Sequence, residues 1–290
     1  MSIREENIVF CSRFYADKLK CSESHKKRAY RKHYVYLLMK YLFGGKIEIP
    51  FVEAILTTKC TLKCRNCSNL IPEYDKHMHP QISVDEYLHD MDVLLEKVSY
   101  IHRFKIHGGE PMLCDRLPEI IDKCCSNAKI GEVRMSTNAT IMPNEVLIKS
   151  FCHEKFVLFI SNYQCSSNNA KKLIEICRKH GIKYRFDDNQ TWVKYGDVTK
   201  HNKPIEQLIQ ERKLCCMAKC IAMLNGKIFL CSRQANATQM GLIPNSCGID
   251  IHSSSFKKEM KKLYGDPYNA FCDYCAVELD SVVQAGEQRI

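Results

Sequence analysis

Residues 49–67 read IPFVEAILTTKCTLKCRNC. The first nine form a β-rich run, as expected of a buried strand. Three cysteines follow, Cys60, Cys64 and Cys67, spaced x3 and x2 in one short loop at the strand's end. Three thiolates can hold three irons of a 4Fe-4S cube and leave the fourth iron open. A structural zinc site needs four protein ligands, and the nearest further candidates are Cys114 and His77. Zinc completed from elsewhere in the chain stays as the alternative.

Working outward, residues ~24–43 have helical spacing, basic on one side and apolar on the other. Downstream, helices are expected near 84–98, 117–126, 144–151 and 168–180, the last stopped by Gly181. Strands are expected near 102–107, 132–136, 156–161 and 183–186. This alternation predicts an α/β fold with a parallel sheet, a partial (β/α)6-type barrel. Ligands of such sheets bind at the carboxyl ends of the strands. Cys60, Gly108-Gly109-Glu110-Pro111, Ser136 to Asn138 and Ser161-Asn162 all follow expected strands, so they converge on one mouth. After about residue 204 the sequence becomes cysteine-rich, with a hairpin signal at Asn225-Gly226 between 221–224 and 227–230. Three parts are therefore expected: a basic helical extension over 1–48, the barrel over 49–203, and a small carboxyl-terminal α+β domain over 204–290.

The chain is 45% hydrophobic and 26% charged over 290 residues, the proportions of a folded globular protein. Its most apolar early stretch, residues 34–43, is interrupted by Lys40 and far shorter than the ~20 residues of a membrane span. It follows a basic run and precedes no small-residue cleavage site, so no secretory signal is expected and the chain is placed in the cytoplasm. There the 18 cysteines read as reduced thiols, some of them metal ligands. The net charge of +10 is densest at Lys26, Lys27, Arg28, Arg31 and Lys32, which reads as a solvated helix face. The charge could also indicate an anionic substrate or nucleic acid, but the lysines are spread along the chain; a small-molecule substrate is expected, rather than nucleic acid, and no membrane.

At the three-cysteine spacing the sequence resembles the radical S-adenosylmethionine (SAM) superfamily, whose signature lies on the loop after the first barrel strand. The resemblance implies that the open iron chelates the amino and carboxylate groups of SAM, and that an electron from an external donor such as flavodoxin or ferredoxin cleaves it. The resulting 5'-deoxyadenosyl radical abstracts hydrogen from a substrate. His107-Gly108-Gly109-Glu110-Pro111 matches a second family feature: glycines bring backbone carbonyls close to SAM and Glu110 pairs with its ammonium. Ser136 and Asn138 match where the family contacts the SAM carboxylate and ribose, and Ser161 follows the next strand. Asn66 is a departure, because relatives usually have an aromatic residue before the third cysteine.

Near the carboxyl end, Cys216, Gly226 and Cys231 are followed by Cys272-x2-Cys275, and no cysteine comes after. This resembles the Twitch domain, the shortened form of the SPASM extension, which implies one auxiliary 4Fe-4S cluster on Cys216, Cys231, Cys272 and Cys275. Cys215 and Cys220 compete with Cys216 for the first position, and a four-cysteine zinc site is the alternative.

Twitch and SPASM relatives act on small molecules or modify peptides. The leading expectation is oxidation or epimerisation of a hydroxyl-bearing carbon in a sugar, cyclitol or nucleotide-linked molecule. Ketone formation requires a base at the mouth, and Tyr163, Arg185, Asp187 and Asp188 are the candidates. A polar turn at Asp187-Asp188-Asn189 is the plainer reading. Peptide modification is the rival enzyme activity, and a non-catalytic iron-sulfur or zinc protein that binds nucleic acid is the rival from another class.

Overall fold

The computed structural model describes residues 3–163, 169–188, 191–215, 217, 220–244, 248–266, 268–276 and 278–289. Two helices, α1 (Ile3–Asp17) and α2 (Glu23–Leu42), precede strand β1 (Glu48–Thr57). They pack on each other through Ile8, Cys11 and Leu37. Four strand-helix units follow as α3 (Val84–Lys97), β2 (Tyr100–Gly108), α4 (Leu117–Ser126), β3 (Ile130–Thr137), α5 (Glu145–Phe151), β4 (Phe156–Ser161), α6 (Ala170–His180) and β5 (Tyr184–Asp187). Local chemistry sets the helix ends. Ser83 and Asn144 accept the N–H of Glu86 and Leu147 at the starts of α3 and α5, and Gly181 ends α6 at φ 66°.

The remaining elements are β6 (Thr191–Lys194), α7 (Ile205–Leu214), β7 (Ile221–Leu224), β8 (Lys227–Phe229), α8 (Ser232–Gln239), β9 (Ile249–Asp250), α9 (Phe256–Gly265) and β10 (Glu278–Gln284). The eight-stranded sheet runs β5-β4-β3-β2-β1-β7-β8-β9, and every pairing from β5 to β7 is parallel. The hairpin at Asn225-Gly226 therefore does not stand apart, because β7 continues the main sheet alongside Val52–Ala54. β6 and β10 form a separate antiparallel pair that the sequence pattern does not announce.

Period-two alternation gives the sheet two unlike faces. One carries Val52, Ala54, Phe104, Ile106, Val133, Met135, Leu158 and Ile160, buried against Met91, Leu94, Ile120, Ile121 and Leu173. Each such side chain contributes about 1.5–3 kcal/mol by leaving water. The other face is charged: Glu53 on β1, Arg103 and Lys105 on β2, Glu132 and Arg134 on β3, Arg185 on β5. Among the described residues no helix is long and apolar enough to cross a membrane.

Candidate functional site

The loop after β1 folds back on itself, with Cys67 N–H donating to the Cys64 carbonyl (3.3 Å) and Leu70 N–H to that of Cys67 (3.0 Å). The turn after β2 is laced to it: Gly109 N–H donates to Thr57 O (2.8 Å) and Glu110 N–H to Lys59 O (2.9 Å). The approach is too close for a side chain. A Cβ on Gly109 would stand 2.0 Å from Lys59 O, and one on Gly108, at φ +139°, would stand 2.1 Å from Thr57 O.

Glu110 is fully buried. Its Oε2 accepts from Asn138 N–H (2.8 Å) and Thr137 Oγ1 (3.1 Å), and its Oε1 from Met112 N–H (3.2 Å). Burial raises its pKa to about 7, against those three donors. A carboxylate has about four acceptor directions, so one remains. Asn138 carries the lacing on to the cysteines, donating from Nδ2 to Cys60 Sγ (3.6 Å) and to Thr61 Oγ1 (3.0 Å). Ser136 is the penultimate residue of β3, beside Phe159, and Ser161 ends β4 beside Asp187.

A segment that sequence reasoning missed closes the loop from the other side. Gln288 bridges to Cys64 in antiparallel fashion and its Nε2 donates to Cys64 Sγ (3.4 Å), while its Oε1 accepts from Lys63 N–H (2.8 Å). Arg65 N–H donates to Glu287 O (2.7 Å) and Arg289 N–H to Lys63 O (2.8 Å). No short motif marks this segment, because its contacts are backbone pairings across the whole chain.

Tyr163 packs against Gly286, where an added Cβ would lie 2.6 Å from its ring, and meets Trp192 edge-on at 5.3 Å. Burial holds its phenol far above the ordinary range, against a hydrogen bond with Ser161, so it stays protonated. Asp188 accepts from Asn162 Nδ2 (2.6 Å), and Asp187 is an exposed carboxylate at the end of β5. The Arg185 guanidinium lies 5.9 Å from the Phe159 ring centre and that of Arg134 lies 4.9 Å from it. Lys105 pairs with Glu53 (3.1 Å), and Glu132 pairs with both Arg134 and Arg103. Four cations thus face two carboxylates over the middle of this surface.

The carboxyl-terminal thiols also converge. Cys215, Cys231, Cys272 and Cys275 line one small cavity of about 50 Å³ with Leu230, Phe271 and Arg212. Cys216 lies outside the described residues, and Cys220 is buried but does not line that cavity. Burial pushes the Cys231 thiol up to about 12 and that of Cys60 to about 11, and raises Cys67, Cys272 and Cys275 in the same direction. Cys60, Cys67 and Cys231 border one apolar cluster of Leu70, Ile71, Tyr74, Ala237, Met240, Ile243 and Phe271. Arg233, 3% exposed, donates to the carbonyls of Gly196 (2.7 Å) and Asp197 (3.0 Å), and its charge acts on both Cys67 and Cys275.

The family model of the Radical SAM superfamily matches residues 54–189, which span β1 to β5 with their loops. This segment belongs to the radical SAM superfamily. A curated relative, the GTP 3',8-cyclase of Syntrophomonas wolfei subsp. wolfei (strain DSM 2245B / Goettingen), is 24% identical over 103 residues, 32% of this chain and 28% of that protein. The chain therefore aligns with less than a third of that relative's length. The crystal structure of BtrN in complex with AdoMet and 2-DOIA superposes with a TM-score of 0.52 at 15% identity, covering 83% of this chain and 97% of BtrN, so the two share a fold. SuiB of Streptococcus suis bound to S-adenosylmethionine gives a TM-score of 0.41 at 14% identity, over 70% of this chain and 46% of SuiB.

Radical SAM membership implies a 4Fe-4S cluster and SAM. The residues present suit both groups. Three thiols share one loop, two of their sulfurs already receive N–H groups, which offset thiolate charge, and the glycine turn leaves room only for backbone beside them. Burial raises the thiols of Cys60 and Cys67, so their protons leave when iron binds rather than before.

Proposed function

We propose that this chain is a radical SAM enzyme that oxidises or epimerises a hydroxyl-bearing carbon of a small molecule: a sugar, a cyclitol or a nucleotide-linked compound. The carrying observation is the lacing of the Cys60–Cys67 loop to the Gly108-Gly109-Glu110 turn at the mouth of a charged sheet face. Cys60, Cys64 and Cys67 hold the cluster. Gly108, Gly109, Glu110 and Pro111 receive the methionine end of SAM, with Ser136, Asn138 and Ser161 along its remaining length. When bound, cluster and SAM together supply a 5'-deoxyadenosyl radical that removes a hydrogen atom, with the electron delivered by an external donor such as flavodoxin or ferredoxin.

The chain's own residues sort by their surroundings. Arg185, with Arg134 beside it on the same face, supplies positive charge for an anionic group. Asp187 takes the hydroxyl proton as the carbon is oxidised. Tyr163, partly buried and protonated, acts as a hydrogen-bond donor or wall rather than as a base. The carboxyl-terminal thiols Cys231, Cys272 and Cys275, with Cys215 or Cys216, would hold an auxiliary 4Fe-4S cluster, which would supply an acceptor for the electron left after hydrogen abstraction. In this reading 49–203 is the radical SAM barrel and 204–290 the Twitch-like part, although β7 joins the barrel's own sheet. BtrN, crystallised with AdoMet and a second small molecule, supports the small-molecule reading through the shared fold.

Anaerobic reconstitution tests this. About eight irons per chain are expected, with reductant-dependent release of 5'-deoxyadenosine. Deuterium transfer from labelled candidates into 5'-deoxyadenosine then identifies the substrate carbon. About four irons with one zinc removes the auxiliary cluster, and no 5'-deoxyadenosine with any substrate removes the enzyme reading.

A further inference from the structure

A different group of ligand-type atoms lies at the opposite end of β1. Cys11 of α1, Glu48 at the start of β1 and His102 of β2 are all buried, and they offer ligand atoms that all lie within 4.8 Å of one another. Among the described residues no other group of three does so. His33 of α2 joins them, with Nε2 3.3 Å from Glu48 Oε2, while His102 Nε2 is 3.0 Å from the same oxygen.

Those two separations are close to the edges of a tetrahedron around a zinc ion, about 3.3 Å for bonds of about 2.0–2.1 Å. The surroundings also suit an ion. His33 is oriented from behind by Ser12 Oγ, 3.3 Å from Nδ1, which leaves Nε2 for the centre. His102 is 1% exposed and held edge-on to Tyr100 at 4.9 Å, and its Nδ1 has no hydrogen-bond partner. Lys40 lies 3.7 Å from the other oxygen of Glu48, Oε1, so Oε2 is the oxygen turned to the imidazoles. A cavity of about 790 Å³ between the two helices and the sheet is lined by Glu48, His33 and His102 and gives an ion its way in.

We propose that Cys11, His33, Glu48 and His102 form a divalent-metal site of the zinc class that fastens α1 and α2 to the base of the sheet. One thiolate, two imidazoles and one carboxylate are a borderline-soft set that favours zinc over calcium or magnesium. Four protein ligands close the coordination sphere, as in structural rather than catalytic zinc sites. Binding releases the Cys11 proton and joins four elements that otherwise meet through apolar packing and a few polar contacts such as Asn7 to Tyr41 and to Glu48 O. The site stands independently of the radical SAM chemistry.

The test uses the full chain, purified anaerobically and titrated with zinc alone. Wild-type protein should retain about one zinc per chain in addition to its iron. Its zinc X-ray absorption edge should report one sulfur and three nitrogen or oxygen neighbours. Cys11→Ser and His102→Gln should each lose that zinc and keep their iron, whereas Cys64→Ala should lose iron and keep zinc. Four sulfur neighbours around zinc would place it among the other cysteines and overturn the proposal, as would unchanged zinc in both variants or none in the wild type. If either variant fails to fold, the wild-type absorption edge still decides.

Discussion

The two ends of β1 are built by opposite strategies. Past Thr57, three cysteines stand within eight residues of sequence, and backbone hydrogen bonds of a single loop bring them together. At Glu48, the polar side chains arrive from residues 11, 33 and 102 on three other elements, and no spacing connects them. The first end is a loop whose ligands are local in sequence, although Asn138 and residues 287–289 brace it from far along the chain. The second exists only once the helices have docked. Function at the first end should therefore be separable from stability, while at the second the two should be the same thing.

Cys64→Ala tests this most severely. It should abolish 5'-deoxyadenosine formation and remove about four irons, while the metal-free variant melts close to metal-free wild type, because Cys64 lies in a loop outside the sheet's core. Glu48→Ala should do the reverse. It leaves Lys40 and two imidazoles without their shared carboxylate, at a cost of about 3–5 kcal/mol in chemical denaturation, with SAM cleavage per folded molecule unchanged. A loss of cleavage in folded Glu48→Ala would break the comparison.

Gly109→Ala probes the boundary between the two behaviours, since its Cβ would meet Lys59 O at 2.0 Å. It should lose about 2 kcal/mol or more and weaken SAM binding together, as seen by denaturation and by SAM titration. Glu110 gives a pH-dependent effect of similar size. Burial raises its folded pKa to about 7 from 4.5, so its contribution is present in full below about pH 4.5 and lost as pH rises through about 7. Apo protein should therefore weaken by up to about 3 kcal/mol between about pH 5 and 8, and Glu110→Gln should flatten that slope. Gln288→Ala, which removes one N–H from Cys64 Sγ, should have the smallest effect: a two- to tenfold fall in cleavage rate, corresponding to about 0.5–1.5 kcal/mol.

Helix α2 and the strands and helices from residue 49 to 187 were legible because each carries its own period, and Ser83, Asn144 and Gly181 mark three of the ends, whereas α1 (Ile3–Asp17) was not read. The cysteine loop and the glycine turn were legible because their constraint is local: only glycine tolerates φ +139° beside Thr57. What could not be read is long-range. The pairing of β7 with β1, the β6–β10 ribbon, Arg233 between the two thiol groups and Gln288 on Cys64 depend on which surfaces meet after folding. Cys11 read as one small buried hydrophobe among many, since nothing near it in sequence hints at Glu48 or His102.

The clasp of residues 287–289 on Lys63, Cys64 and Arg65 also sets a timetable. Cys64 and Gln288 are 224 residues apart, and a ribosome adding roughly 5–20 residues per second needs about 10–45 s to make the interval. During that time the thiol loop is outside the ribosome without its clasp, open to oxidants and stray metals. Iron delivery in the cell is therefore expected to follow synthesis of this segment rather than accompany it.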